Sequence, residues 1–195
     1  LANRAGVVVV HVDYRLAPEH IFPAAADDAE ASLAWAHAHL AELGGADKPL
    51  AVAGDSAGGN FAAVAALYAR DAGIPLAAQL LLYPATDLSR LNGIPEQCYL
   101  GEQIATAALD PRASPIKATT LAGVAPAIIG VGVHDFLYTD NMTYANALQA
   151  AGVPVLLRQY ADLNHGFFSF CVISASSEAA SNQLSDDLRQ QLLSV

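Results

Sequence analysis

With 195 residues, 54% hydrophobic and 14% charged, the chain can bury a core as one domain and lies far from disordered composition. A net charge of −10, with nine scattered Lys and Arg, would repel a phosphate backbone and argues against a nucleic-acid partner. No apolar run approaches the roughly 18 residues that cross a bilayer, so no membrane span is expected.

The opening Leu1-Ala2-Asn3-Arg4-Ala5-Gly6 reads as the last turn of a helix stopped by glycine, with no initiator Met and no signal-like core. Val7–Val12 follows at once as a buried strand, so the chain is expected to begin in mid-fold. Ala24–Leu43 carries Ala29, Leu33, Ala36, Leu40 and Leu43 at helical spacing, and Gly44-Gly45 should stop it. Then come a strand at Leu50–Ala53, an Ala-rich helix at Ala57–Arg70 and a strand at Gln79–Tyr83. Asp87–Ala125, with Pro95, Pro111 and Pro115, breaks the periodicity and reads as an excursion of short helices over the carboxyl ends of the strands. A strand at Ala127–Val133, a helix at Tyr138–Ala151 ended by Gly152, a strand at Val153–Tyr160 and a helix at Glu178–Leu193 complete the chain. Strand runs continuous in Val, Leu and Ile belong to a sheet covered on both faces, and their alternation with helices predicts an α/β fold with a mostly parallel sheet. Cys98 and Cys171 stand in no metal or redox spacing and are expected to be buried or idle thiols in a reducing, cytoplasmic setting.

Chemistry concentrates at Gly54-Asp55-Ser56-Ala57-Gly58-Gly59, a G-x-S-x-G between a strand and a helix. So tight a turn needs small residues beside the serine, hence Gly54, Ala57 and Gly58. It would lift the Ser56 hydroxyl clear of the sheet and aim the Ala57 N–H and the helix N-terminus at an oxyanion. A serine hydroxyl is a weak nucleophile and needs a base held by a carboxylate. Among six histidines, His37 and His39 face different ways on a helix, His11 lies in a strand, His20 in a loop, and His134 at a strand end. His165, in the loop after the last strand and beside Gly166, has the place that a base requires. Asp135 directly follows a strand; Asp140 sits in the next helix, where capping is its ordinary role, and Asp162 is too close to His165 to come from a separate loop. Ser56, Asp135 and His165 therefore form the candidate triad, in the chain order of α/β-hydrolases.

At these residues the chain resembles the hormone-sensitive-lipase-like esterases, the bacterial family IV. The resemblance rests on Val12-Asp13-Tyr14-Arg15-Leu16-Ala17-Pro18-Glu19-His20 with Phe22-Pro23-Ala24-Ala25, on Gly54 to Asn60, and on Tyr83-Pro84, Asp110-Pro111, Ser114-Pro115 and His165-Gly166-Phe167. It implies the α/β-hydrolase fold, a serine carboxylester hydrolase acting on short- to medium-chain acyl esters, and neither metal nor cofactor. It also implies that residues 1–195 are the C-terminal portion of one catalytic domain. The first strands, the cap helices and the His-Gly-Gly-Gly oxyanion segment have no counterpart here, so that N-terminal segment is expected to be required for a complete site. After the acid the family usually has Asp-Pro-Leu, whereas this chain has Asp135-Phe136-Leu137. A non-catalytic ligand-binding relative would lack the histidine that is present here, while an amidase or acyltransferase would share the triad. The sequence leaves a homodimer open.

Overall fold

The computed structural model describes residues 1–91 and 93–195. Four parallel strands lie side by side in chain order: β1 (Ala51–Asp55), β2 (Ala78–Leu82), β3 (Ala127–Gly132) and β4 (Val155–Tyr160). Leu80 is opposite Ala53 on one side and Ile128 on the other, and Ile128 is in turn opposite Leu156. Every residue of β2 and β3 is buried, and the two strands are apolar but for Gln79, whose Nε2 donates to the Ala125 carbonyl at 2.8 Å; the outer strands are only partly covered.

Alternate strand residues address two helical layers. Leu80, Leu82 and Ile128 pack on Ala180, Leu184 and Leu188 of α6 (Ala175–Leu193). Leu81 and Ile129 pack on Ala62, Ala63 and Leu67 of α2 (Ala57–Ala72), and on Tyr144, Ala145 and Leu148 of α5 (Tyr138–Ala150). Outside α2 lies α1 (Ala24–Ala38), whose Leu33 meets Ala65 and Ala69. Each fully buried Leu or Ile contributes about 1.5–3 kcal/mol of burial, so these two apolar layers hold the sheet.

The excursion Asp87–Ala125 holds, among its described residues, α3 (Ile94–Leu100), α4 (Ile104–Ala107), the 3-10 turn Gly101–Gln103 that joins them, and two further 3-10 turns; Asn92 within it lies outside the described residues. Its Leu88, Leu100, Ala107, Ala108 and Ala113 cluster with Leu137, two residues beyond Asp135, so it does sit over a carboxyl end of the sheet. Asn60 of α2 fastens it, donating from Nδ2 to the carbonyls of Ala85 and Ala113, each at 2.7 Å.

Two elements depart from expectation. Val7–Val12 is not a buried strand: Val7 is extended (φ −121, ψ 154), but Val8, Val9 and Val10 are 66%, 52% and 42% exposed. An extended backbone becomes a strand only beside a partner that completes its hydrogen bonds, and no described strand pairs with this run. The first long helix stops at Ala38 rather than Leu43. His39 leaves helical geometry (φ −114, ψ 19) while its ring stacks on Trp35 and its Nδ1 hydrogen-bonds the Trp35 carbonyl at 2.8 Å. Cys98 and Cys171 are free and only partly buried. No helix among the described residues is long and apolar enough to cross a membrane.

Candidate active site

Each strand delivers one part of the site just past its carboxyl end. Ser56 follows β1, Tyr83 follows β2, Asp135 lies three residues beyond β3, and His165 lies in the loop after β4.

Ser56 stands between β1 and α2 with φ +53 and ψ −114, a region that a residue with a Cβ enters only when its surroundings force it. The forcing is visible at Gly54. A Cβ there would lie 2.1 Å from the Gly58 carbonyl oxygen and 2.3 Å from its carbon, so the strand and the first turn of α2 meet backbone to backbone. Gly59 is similarly pressed, at 2.9 Å, against Pro84. Gly58 has open space around it, so its expected steric role is not found, and Gly59 takes that part. Ala57, as the first residue of α2, has an N–H without an intrahelical acceptor, and the helix dipole reinforces its pull on negative charge.

The three residues read from the sequence come together. The Ser56 hydroxyl donates to His165 Nε2 at 2.8 Å, and His165 Nδ1–H donates to the Asp135 carboxylate at 3.0 and 2.9 Å. A carboxylate accepts, so the ring proton sits on Nδ1 and Nε2 keeps a lone pair for the serine proton. Asp135 has a fully buried side chain, whereas that of His165 is 23% exposed. Oδ1 of Asp135 also accepts the Leu137 N–H at 2.7 Å, which fixes the carboxylate in its loop.

The loops that carry Asp135 and His165 meet at Gly132. A Cβ on Gly132 would fall 2.1 Å from the Leu163 carbonyl oxygen. Next to that contact, Val133 N–H donates to Tyr160 O at 2.9 Å and His134 N–H to Leu163 O at 3.2 Å. Glycine is thus required where the two loops touch, a role that the isolated glycines of Gly130-Val131-Gly132 could have signalled in the sequence.

Two aromatic rings complete the surroundings of His165, and the sequence alone singles out neither for this place. Tyr83, wholly buried, lies 4.8 Å from the His165 ring, and Phe136 lies 4.6 Å from it. Tyr83 has φ +40, so a second strained backbone position borders the site. Burial pushes the Tyr83 phenol well above its ordinary range, and the nearby Asp55 carboxylate adds to the shift.

The remaining candidates take no part in the Ser56–His165–Asp135 hydrogen bonds. His11, His20, His37 and His134 are exposed, as is Asp162. Asp140 does not cap its own helix; it accepts the Thr86 N–H at 2.6 Å, tying the start of α5 to the loop beyond β2. Burial raises its carboxyl above the usual range, although the bond from Thr86 opposes this. Among the described residues no cluster of His, Cys, Asp and Glu could hold a metal ion.

Residues 1–169 match the family described as alpha/beta hydrolase fold. The chain belongs to that family. It is 40% identical over 214 residues to carboxylic ester hydrolase LipN of Mycobacterium tuberculosis, an alignment covering 98% of this chain and 57% of that protein. With carboxylesterase NlhH of the same species it shares 44% over 201 residues, covering 92% of the chain and 63% of NlhH. The chain therefore spans about three-fifths of these α/β-hydrolase relatives, or 57% and 63% of their lengths. Among solved structures, EstE1, a thermostable carboxylesterase from a metagenomic library, superposes with a TM-score of 0.91 at 32% identity, covering 98% of this chain and 71% of EstE1. The resemblance to hormone-sensitive-lipase-like esterases holds at the level of the family.

Proposed function

We propose that this α/β-hydrolase chain carries the nucleophile, base and acid of a serine carboxylester hydrolase acting on short- to medium-chain acyl esters of small alcohols or phenols. The observation that carries the reading is the line Ser56 Oγ, His165 Nε2, His165 Nδ1, Asp135, with contacts of 2.8 Å and 2.9 Å. Ser56 Oγ forms a bond to the ester carbonyl carbon as its proton passes to Nε2. The Ala57 N–H receives the developing oxyanion. The resemblance implies further donors from a His-Gly-Gly-Gly segment, which these residues do not contain. When the tetrahedral adduct collapses, the bond to the alcohol oxygen breaks and Nε2 returns the proton to that oxygen. Water, deprotonated by His165, then releases the acid from Ser56. Asp135 holds the tautomer and stabilises the imidazolium in both halves. Residues 1–195 act here as part of one catalytic domain.

The test is Ser56→Ala in the protein that carries this chain, assayed on p-nitrophenyl butyrate and by fluorophosphonate labelling with peptide mapping. Turnover should fall by a factor on the order of 10⁶, and the adduct, on Ser56 in the parent, should vanish. Undiminished hydrolysis by the variant would exclude Ser56 as the nucleophile.

A further inference from the structure

We infer that Phe136 forms the platform for the alcohol part of the ester and makes the site selective for planar, aromatic alcohols; the inference rests on the esterase reading above. Phe136 is 73% exposed, yet its ring centroid lies 4.6 Å from that of His165, tilted by 46°. Its position is not free. Asp135 accepts the Leu137 N–H on its carboxylate at 2.7 Å and the Tyr138 N–H on its carbonyl at 3.0 Å, while Leu137 is buried beneath the excursion. The turn that holds the acid on the base therefore also holds the Phe136 ring beside the base, facing solvent.

Chemistry decides which part of the substrate meets that ring. The alcohol oxygen must come within about 3 Å of Nε2 to receive its proton, so its substituent extends outward from the imidazole edge. A rigid aromatic ring standing in solvent beside that imidazole offers a planar substituent a stacking or edge contact, which a short alkyl chain uses poorly. Tyr83 flanks the same imidazole but is wholly buried and cannot serve.

His165 works in both acylation and deacylation, whereas the alcohol has departed before deacylation begins. This separates a platform from a mere support of the base. Phe136→Leu in the protein that carries this chain is assayed with phenyl and ethyl acetate, and acetyl-enzyme hydrolysis is followed after a burst. Loss of one aromatic contact should lower kcat/KM for phenyl acetate roughly three- to ten-fold. Ethyl acetate should change less than about two-fold, deacetylation should be unaltered, and Phe136→Tyr should restore the preference. Equal falls for both esters together with slower deacetylation would mean that Phe136 only steadies His165, and would overturn the inference, as would no change in either ester. Fluorophosphonate labelling of the parent separates the two levels: an adduct on Ser56 keeps the esterase reading whatever Phe136 does, and its absence removes both.

Discussion

Gly54→Ala tests whether the nucleophile is set by backbone contact between β1 and α2. The added methyl would stand 2.1 Å from Gly58 O, 2.3 Å from Gly58 C and 2.8 Å from Gly59 N, all backbone atoms that cannot swing aside as a side chain could. The first of these is about 1.3 Å short of the 3.4 Å at which ordinary contact begins, so the turn must open by roughly an ångström. Overpacking of this kind costs about 1–3 kcal/mol, and without a soft neighbour the upper end applies. At about 2–4 °C per kcal/mol for a chain of this size, the melting temperature should drop by roughly 6–12 °C. The opening also carries Ser56 away from a base that it now meets at 2.8 Å, and misplacement by about an ångström costs on the order of 100-fold in rate. Thermal unfolding reads the first effect, and the rate of fluorophosphonate labelling at Ser56 reads the second. Gly58→Ala is the control: its methyl meets nothing within 4 Å, and it replaces a glycine inside α2, so stability should hold or rise by up to about 1 kcal/mol. If Gly54→Ala melts and labels like the parent, backbone contact does not set the elbow.

Gly132→Ala should drive the acid and base loops apart, because its methyl would lie 2.1 Å from Leu163 O; labelling of Ser56 should slow at least about ten-fold, with the fold retained by circular dichroism. The partly buried carboxyl of Asp140 gives a pH signature. Burial raises its folded-state pKa above the unfolded one, so it favours folding below the unfolded value and loses that contribution as pH rises through the folded value. Asp140→Asn keeps an acceptor for the Thr86 N–H and should therefore gain stability relative to the parent on going from pH 4 to pH 7, measured by urea unfolding; a constant difference would show that the burial of this group has no energetic consequence.

Much of the candidate site was legible in the sequence because its parts are local signals repeated at strand ends. A serine between Gly54 and Gly58, an aspartate directly after an apolar run, and a histidine in the loop after the last strand each announce themselves within a few residues. Val7–Val12 misled because apolar character reports a wish for cover, whereas a strand also needs a neighbour's hydrogen bonds, which local sequence cannot supply. Gly58 misled for a related reason. The G-x-S-x-G spacing names its glycines alike, yet only Gly54 faces backbone at 2.1 Å, while Gly58 faces open space. Tyr83 and Phe136 were not legible as neighbours of the His165 ring because these ring contacts join residues distant in the chain.

What converts separate signals into one site is the continuation of the strand ladders beyond the strands themselves. Ser56 N–H donates to Leu82 O at 2.9 Å, Tyr83 N–H to Gly130 O at 2.7 Å, and Val133 N–H to Tyr160 O at 2.9 Å. Each of these bonds carries the register of a neighbouring strand pair into the loop that bears a site residue. Asp135 and His165 follow adjacent strands, and their loops share one such junction, at Gly132 and Leu163. Ser56 stands three strands from His165, so their 2.8 Å contact depends on all three junctions at once. The Asp135–His165 pair is therefore the more robust half of the candidate triad, and the Ser56–His165 contact is where a disturbance in any of the four strands is felt first.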